Sequence, residues 1–249
     1  MDLSNKTELS RQRIILEDGR IGELVLYDVK DYGRMEILEN VEVVNGKFRQ
    51  SRSLMPFCYL DKKPSDFEFN IYGQDTTEMK QYANAFIVNY EKWKVKGKGL
   101  YIYSKTKGTG KTMLACCLAN AIMEKYGICV KFINVPELLE MTKKSWQSWT
   151  EQEELESIRK AEILIIDDIG VELKKEWVDV ELYRLINWRC ENKHVTIFTS
   201  NVDIDDLKLD ERIIGRIAEM CVLLKMPEVS IRRIKAKQEN ELFIQELLK

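Results

Sequence analysis

The sequence predicts an α/β protein built on a parallel sheet with helices on both faces. From residue 99 onward, short apolar runs at 100–103, 129–133, 163–166, 195–198 and 221–225 alternate with helical patterns. Strands covered on both faces read as unbroken apolar runs, and intervening helices supply the crossovers a parallel sheet needs. The first run opens into Gly108-Thr-Gly-Lys-Thr112 and then a helical pattern, the strand–loop–helix order of a phosphate-binding loop. The third run, Ile163-Leu-Ile-Ile166, delivers Asp167 and Asp168 at the end where ligands gather in open α/β sheets.

Bulk composition narrows the possibilities. The 249 residues suffice for one full domain plus an appendage, or two small domains. With 45% hydrophobic and 32% charged residues, the chain has the make-up of a globular protein with a core. A formal charge of −2 supplies no global attraction for nucleic acid, so any such contact depends on local patches. No apolar run approaches the roughly 20 residues of a membrane span. The N-terminus lacks the apolar core of a signal peptide. The expectation is a cytoplasmic protein without membrane contact. Six cysteines (Cys58, Cys116, Cys117, Cys129, Cys190, Cys221) form no C-x-x-C pair and read as buried, reduced thiols without zinc. His194 is the single histidine, which excludes a multi-histidine metal site, and it is read as structural.

Taken in order, residues 1–55 read as a small β-rich, partner-docking module. Runs at 13–16 and 21–27 flank Asp18-Gly19, and Val41-Glu-Val-Val44 leads into Asn45-Gly46, a strong hairpin signal. Residues 35–44 also admit a helix. Residues 56–98 read as a connector: Pro56 and Pro64, the aromatics Phe67, Phe69 and Tyr72, then a helix over 77–93 with Met79, Tyr82, Ala83, Phe86 and Tyr90 on one face. The basic stretch 92–98 reads as a solvated helix end. Residues 99–249 read as the nucleotide-binding domain, with helices predicted over 112–125, 136–146, 151–160, 175–191, 211–220 and from 230.

The chemistry collects at strand ends. Loop N–H groups and the helix N-terminus face phosphates, and Gly108 and Gly110 let the backbone come close. Lys111 then meets the β/γ-phosphates and the Thr112 hydroxyl meets Mg²⁺. Asp167 is expected to hold Mg²⁺ through water, and Asp168 to polarise the attacking water. Asn201, at the end of Thr196-Ile-Phe-Thr-Ser-Asn201, can hydrogen-bond both the γ-phosphate and that water. Arg212 and Arg216 lie four apart on one helical face, and Arg232 and Arg233 open the last helix within reach of the nucleotide. Trp146 and Trp149, with Lys143 and Lys144, are candidates for single-stranded DNA contact, the alternative being core or interface aromatics.

Over residues 57–233 the sequence resembles the DnaC/DnaI-like AAA+ ATPases, the bacterial replicative helicase loaders, with IstB-type transposition helper ATPases as close kin. Gly108-Thr-Gly-Lys-Thr112, Leu164-Ile-Ile-Asp-Asp-Ile-Gly170 with Glu172, Thr199-Ser-Asn201, Glu211-Arg-Ile-Ile-Gly-Arg216 and Ser230-Ile-Arg232 carry the resemblance. It implies a P-loop NTPase of AAA+ type with little or no C-terminal lid, using ATP/ADP and Mg²⁺. It implies Gly108, Thr109, Gly110, Lys111, Thr112, Met113 and Arg232 as nucleotide-binding, and Thr112 and Asp167 at the metal. Asp168, Asn201 and Arg216 become the catalytic set, with Arg216 acting on a neighbour's ATP and Arg232 as second sensor. The implied partners are a replicative DNA helicase, single-stranded DNA and further copies of the chain in a ring or spiral. The sequence departs from the family at Lys105-Thr-Lys107, where Gly-Pro-Pro is common, and this predicts a weaker nucleotide grip. Two other functions compete with helicase loading: a transposition helper on duplex DNA, and a nucleotide-binding switch with negligible hydrolysis.

Overall fold

The structure, a computed structural model, describes residues 6–15, 21–30, 33–42, 52–146, 148–170 and 176–247. The chain divides into two units, Met1–Arg52 and Ser53–Lys249.

The first unit is an antiparallel meander of β1 (Lys6–Ile15), β2 (Ile21–Val29) and β3 (Gly33–Glu42). Alternation along β2 buries Val25, Tyr27 and Val29, with Met35 and Ile37 of β3 packed against them. That period of two decides for a strand over the helix that residues 35–44 also admitted, as far as Glu42, where that described stretch ends. The strand expected from residue 13 is the end of a longer one beginning at Lys6. Asp18-Gly19 and the hairpin signal at Asn45-Gly46 lie outside the described residues.

The second unit begins with three short 3-10 turns, Phe57–Tyr59, Pro64–Asp66 and Phe69–Tyr72. Two helices follow, α1 (Thr77–Val88) and α2 (Tyr90–Lys96), where the sequence pattern suggested one. The break falls at Asn89 (φ −105°, ψ 25°), whose side-chain amide donates back to the Ala85 carbonyl. Asparagine offers the backbone such a local alternative to helix continuation. The chain then runs through β4 (Gly99–Tyr103), α3 (Lys111–Tyr126), β5 (Val130–Asn134), α4 (Val135–Ser145), α5 (Trp149–Lys160), β6 (Ile163–Ile169), α6 (Glu176–Glu191), β7 (Val195–Ser200), α7 (Glu211–Met220), β8 (Cys221–Lys225) and α8 (Ile231–Leu247). Asn134, Ser148 and Asp210 cap α4, α5 and α7 through their side chains.

The five strands are parallel, in the order β5-β6-β7-β4-β8. β4, the first strand of the sheet in sequence, thus sits between β7 and β8, and crossovers leave it on both sides. The loop after β4 consequently faces the C-terminal ends of β6 and β7, a position where open α/β sheets bind ligands. Side chains alternate across the sheet: Leu100, Ile102, Ile165 and Ile197 pack with α1 and α3, while Tyr101, Leu164, Ile166 and Phe198 pack with α6 and α7.

Arg189 is buried to zero exposure, and among the described residues no carboxylate is one of its hydrogen-bond acceptors. Its guanidinium donates to the carbonyls of Arg159, Ala161 and Val195 and to the Thr196 hydroxyl, tying α6 to β7 and to the α5–β6 connection. Burial pushes its pKa down to about 9. His194 stacks on Trp188 with centroids 5.1 Å apart, in keeping with a structural role. Cys116, Cys117 and Cys221 are buried and Cys129 and Cys190 half-buried, but Cys58 is exposed, which corrects the expectation of six buried thiols. Cys58 lies in the first 3-10 turn, an irregular segment whose burial no periodic pattern could report. No helix among the described residues is long and apolar enough to cross a membrane.

Candidate functional site

Between β4 and α3 the chain makes the expected loop. Gly108 (φ 76°) and Gly110 (φ 92°) both take left-handed backbone. A Cβ on Gly108 would stand 2.9 Å from Ser230 Oγ, and one on Gly110 2.7 Å from Ile231 Cδ1. Conformation and space therefore both demand glycine at these positions. Lys105 is different: it is not among the described non-glycine residues with positive φ, which are Leu54, Asp168 and Lys193. The backbone at 105 needs no glycine, and the lysine side chain turns outward to an exposed ion pair with Asp206 (3.1 Å). A pocket of about 180 Å³ is lined by residues 107–113 together with Tyr59, Asp168, Asn201 and Arg232.

Lys111 opens α3 and is 5% exposed. Among the described residues its Nζ contacts only neutral oxygens in hydrogen-bond geometry: Thr106 O at 3.3 Å, and Ser104 O and Thr109 Oγ1 at 3.5 Å. Burial lowers its pKa, the nearby acids Asp168, Glu228 and Asp167 opposing this. Asp167, two residues before the end of β6, shows the mirror case. Burial raises its carboxyl, against hydrogen bonds from Thr199 Oγ1 (2.6 Å) and Thr112 Oγ1 (2.8 Å) that favour the charged form. A cation and an anion are thus each buried at a cost that their neighbours only partly offset.

Past Asp167, β6 breaks register between Ile166 and Ile169. Asp168 sits in that irregularity with φ 55°, a conformation rare outside glycine, asparagine and aspartate. Its N–H donates to Thr199 Oγ1 (3.0 Å) and its carboxylate accepts from Asn201 Nδ2 (3.1 Å). Thr199 thus joins the two acids, accepting from one residue's backbone and donating to the other's side chain. Ser200 Oγ donates to Ile169 O (2.7 Å) and pins the strand beyond the irregularity.

Of the candidate residues, Gly108 to Met113, Asp168, Asn201 and Arg232 come together around one pocket, with Asp167 bonded to Thr112 beside them. Arg216 stands apart on α7, paired with Glu219 (2.9 Å). Arg212 is held by Asp210 and lies over the Tyr183 ring. Arg233 does not reach the pocket that Arg232 lines, a correction to the expectation for the pair: consecutive helical residues point about 100° apart. Glu172 lies outside the described residues. Trp146 and Trp149 are 66% and 77% exposed, so they are not core. Trp146 meets Trp177 edge to face, Lys143 lies over the Trp177 ring, and Lys144 pairs with Glu140.

Sequence reasoning missed several members. Tyr59 lines the pocket from the first 3-10 turn. Tyr72 donates its hydroxyl to Thr109 O (2.6 Å), fastening the loop from beneath. The aromatic cluster was visible in sequence, with Phe67 4.8 Å from Phe69 and 6.3 Å from Tyr72, but its contact with the loop was not. Thr199 stood inside a quoted motif without an assigned task. Glu228 carried no sequence signal.

The protein-family model described as IstB-like ATP binding protein matches residues 32–239. The replicative helicase loader DnaI of Bacillus subtilis (strain 168) is 32% identical over 165 residues, covering 64% of this chain and 52% of that protein. A crystal structure of DnaI superposes with a TM-score of 0.60 at 30% identity, covering 70% of this chain and 95% of that one. A crystal structure of the DnaC helicase loader gives 0.61 at 24% identity, covering 69% and 99%, a likeness of fold. The chain spans about half the length of the curated relatives it matches.

Proposed function

The chain belongs to the IstB-like ATP-binding proteins as a DnaC/DnaI-like AAA+ ATPase, and from that premise we propose that it binds and hydrolyses ATP to place a replicative DNA helicase on single-stranded DNA. One observation carries the nucleotide reading: the buried Lys111 ammonium, hydrogen-bonded among the described residues to neutral oxygens alone, at the mouth of a glycine-shaped loop. A polyphosphate supplies a negative partner within hydrogen-bond reach, added to the more distant charges of Asp168, Glu228 and Asp167, and the loop N–H groups at the start of α3 bind its oxygens.

Asp167 and Thr112 would hold Mg²⁺. Their carboxylate and hydroxyl oxygens suit a hard cation, and the raised carboxyl of Asp167 fits a site whose charge a cation balances. The ion supplies neutralisation of phosphate charge. Asn201 orients Asp168 through its amide, leaving a carboxylate oxygen to accept a proton from the attacking water. Arg232 contacts the phosphates within the chain. Arg216, remote from this pocket, reaches the ATP of a neighbouring copy and stabilises transition-state charge, which calls for a ring or spiral of subunits. The N-terminal unit docks the partner protein.

Co-purification with the replicative helicase, with ATP or ADP present, tests the loader reading. Association that depends on nucleotide is expected; absence of association under every nucleotide condition rejects it. The match to an IstB-like model favours a second reading, a transposition helper on duplex DNA. Growth of filaments on duplex in preference to single strands would decide for it. For the exposed tryptophans, oligonucleotide binding that survives Trp146→Ala with Trp149→Ala removes them from the DNA path.

A further inference from the structure

The segment after β8 grips the phosphate loop from outside the pocket. The Glu228 carboxylate accepts three hydrogen bonds from the first residues of the loop: the Ser104 hydroxyl (3.0 Å), the Lys105 N–H (3.0 Å) and the Thr106 N–H (2.7 Å). Two backbone bonds flank this grip, Met226 N–H to Tyr103 O (2.8 Å) and Arg232 N–H to Gly108 O (3.0 Å). Neither Glu228 nor residues 104–106 line the pocket itself.

Two of the same three residues present carbonyls to Lys111, whose Nζ lies 3.5 Å from Ser104 O and 3.3 Å from Thr106 O. The peptide bond links the two sets of contacts. The Ser104 carbonyl and the Lys105 N–H belong to one planar trans unit and point opposite ways. Fixing that N–H on Glu228 aims that carbonyl at Lys111. Thr106 is gripped at its N–H while its own carbonyl faces the ammonium. With lysine rather than glycine at 105 and ordinary φ there, an outside carboxylate takes part in shaping the loop.

We infer that Glu228 is a positioning residue for Lys111: by orienting the backbone of residues 104–106 it seats the ammonium and raises the affinity for nucleoside polyphosphates. The inference rests on the reading of this loop as an ATP site. Burial pushes the Glu228 carboxyl up, but the hydrogen bonds from Thr106, Lys105 and Ser104 outweigh it and hold the group below the usual glutamate range. A carboxylate that merely repelled phosphate has the opposite consequence, since its removal would tighten binding.

The test is a titration of the full chain with a fluorescent ADP analogue, at protein concentrations that read dissociation constants into the millimolar range. The variants are Glu228→Ala, Glu228→Gln, Lys111→Ala and the Lys111→Ala/Glu228→Ala double. Glu228→Ala is expected to weaken binding about tenfold, and Glu228→Gln less, because it keeps one acceptor. In the Lys111→Ala background the Glu228→Ala change is expected to do nothing more. Thermal unfolding without nucleotide checks folding, and Glu228→Gln carries the comparison where Glu228→Ala does not fold. Unchanged or tighter binding, or equal fold-losses in both backgrounds, overturns the inference while leaving the site reading intact. Parent-like binding by Lys111→Ala overturns the site reading and the inference with it.

Discussion

In the five-stranded sheet, Ile163, Leu164, Ile165 and Ile166 of β6 have no exposed surface on either face, whereas the three-stranded sheet encloses Val25, Tyr27 and Val29 and borders them with charge. Arg11 there meets Glu8 (2.7 Å) and Glu39 (3.4 Å), and Lys6 meets Glu39 (2.8 Å) while lying over the Tyr27 ring. A parallel sheet covered on both sides is specified by apolar packing, which salt and moderate pH leave alone. A small meander has little apolar area to bury, and ion pairs that link its strands, such as Lys6–Glu39 and Arg11–Glu39, carry more of its specification. The first kind of sheet suits a rigid seat for a site at its strand ends, and the second is the one whose stability follows salt and pH.

The largest effect is expected where packing is densest. Ile165→Ala removes a fully buried side chain between β5 and β7 and should lower the unfolding free energy of the sheet unit by about 2–5 kcal/mol. Urea unfolding of the whole chain measures it. A loss below about 1 kcal/mol would mean the site closes over the gap, and the contrast with the meander would lose its basis.

At the sheet's mouth packing ends and chemistry starts. Asp168→Asn keeps an exposed residue that tolerates left-handed backbone, so stability and nucleotide affinity should barely change. ATP hydrolysis should fall about a hundredfold or more, as expected for loss of a general base. Phosphate release alongside ADP titration separates the two, and unchanged hydrolysis would move the base elsewhere. Arg189→Met comes next. It leaves the carbonyls of Arg159, Ala161 and Val195 without their donor, and should cost about 1–3 kcal/mol in the same urea experiment despite the added apolar packing. A stabilised variant would show that burying the charge outweighs what it satisfies.

The sheet unit was legible because its signals are local. Runs such as Ile163-Leu-Ile-Ile166 follow directly from burial on both faces, and the loop glycines follow from left-handed backbone at 108 and 110. The break at Asn89 and the exposure of Cys58 were not legible, since each depends on a local hydrogen bond or an irregular turn rather than on periodicity. Nor were Tyr72 and Glu228, which reach the loop across 37 and 122 to 124 positions of sequence. Lys105, a flaw by motif, is accommodated by backbone with ordinary φ and by Asp206, neither of which a motif encodes.

Acidification should separate the two sheets with the smallest but most specific effect. In the meander, the hydrogen bond from Arg11 holds the Glu8 carboxyl below its ordinary range, and that from Lys6, aided by Tyr27, does so for Glu39. A carboxyl whose folded pKa is depressed adds stability that is complete above the unfolded value, about 4.3, and is lost as pH falls through the folded one. In the sheet unit Asp167 has the opposite sign: burial raises it, so protonation on the way down relieves a cost instead of removing a gain. Between pH 7 and about pH 2.5, amide exchange corrected for intrinsic rate should lose protection over residues 6–42 and keep it over 163–169, with the loss falling below about pH 4.3. Added salt at pH 7 should shift residues 6–42 in the same direction by less, because exposed ion pairs are screened. Equal loss in both segments would mean the meander is held by packing as the parallel sheet is. Protection in 6–42 indifferent to both acid and salt would assign its ion pairs no part in holding the three strands together.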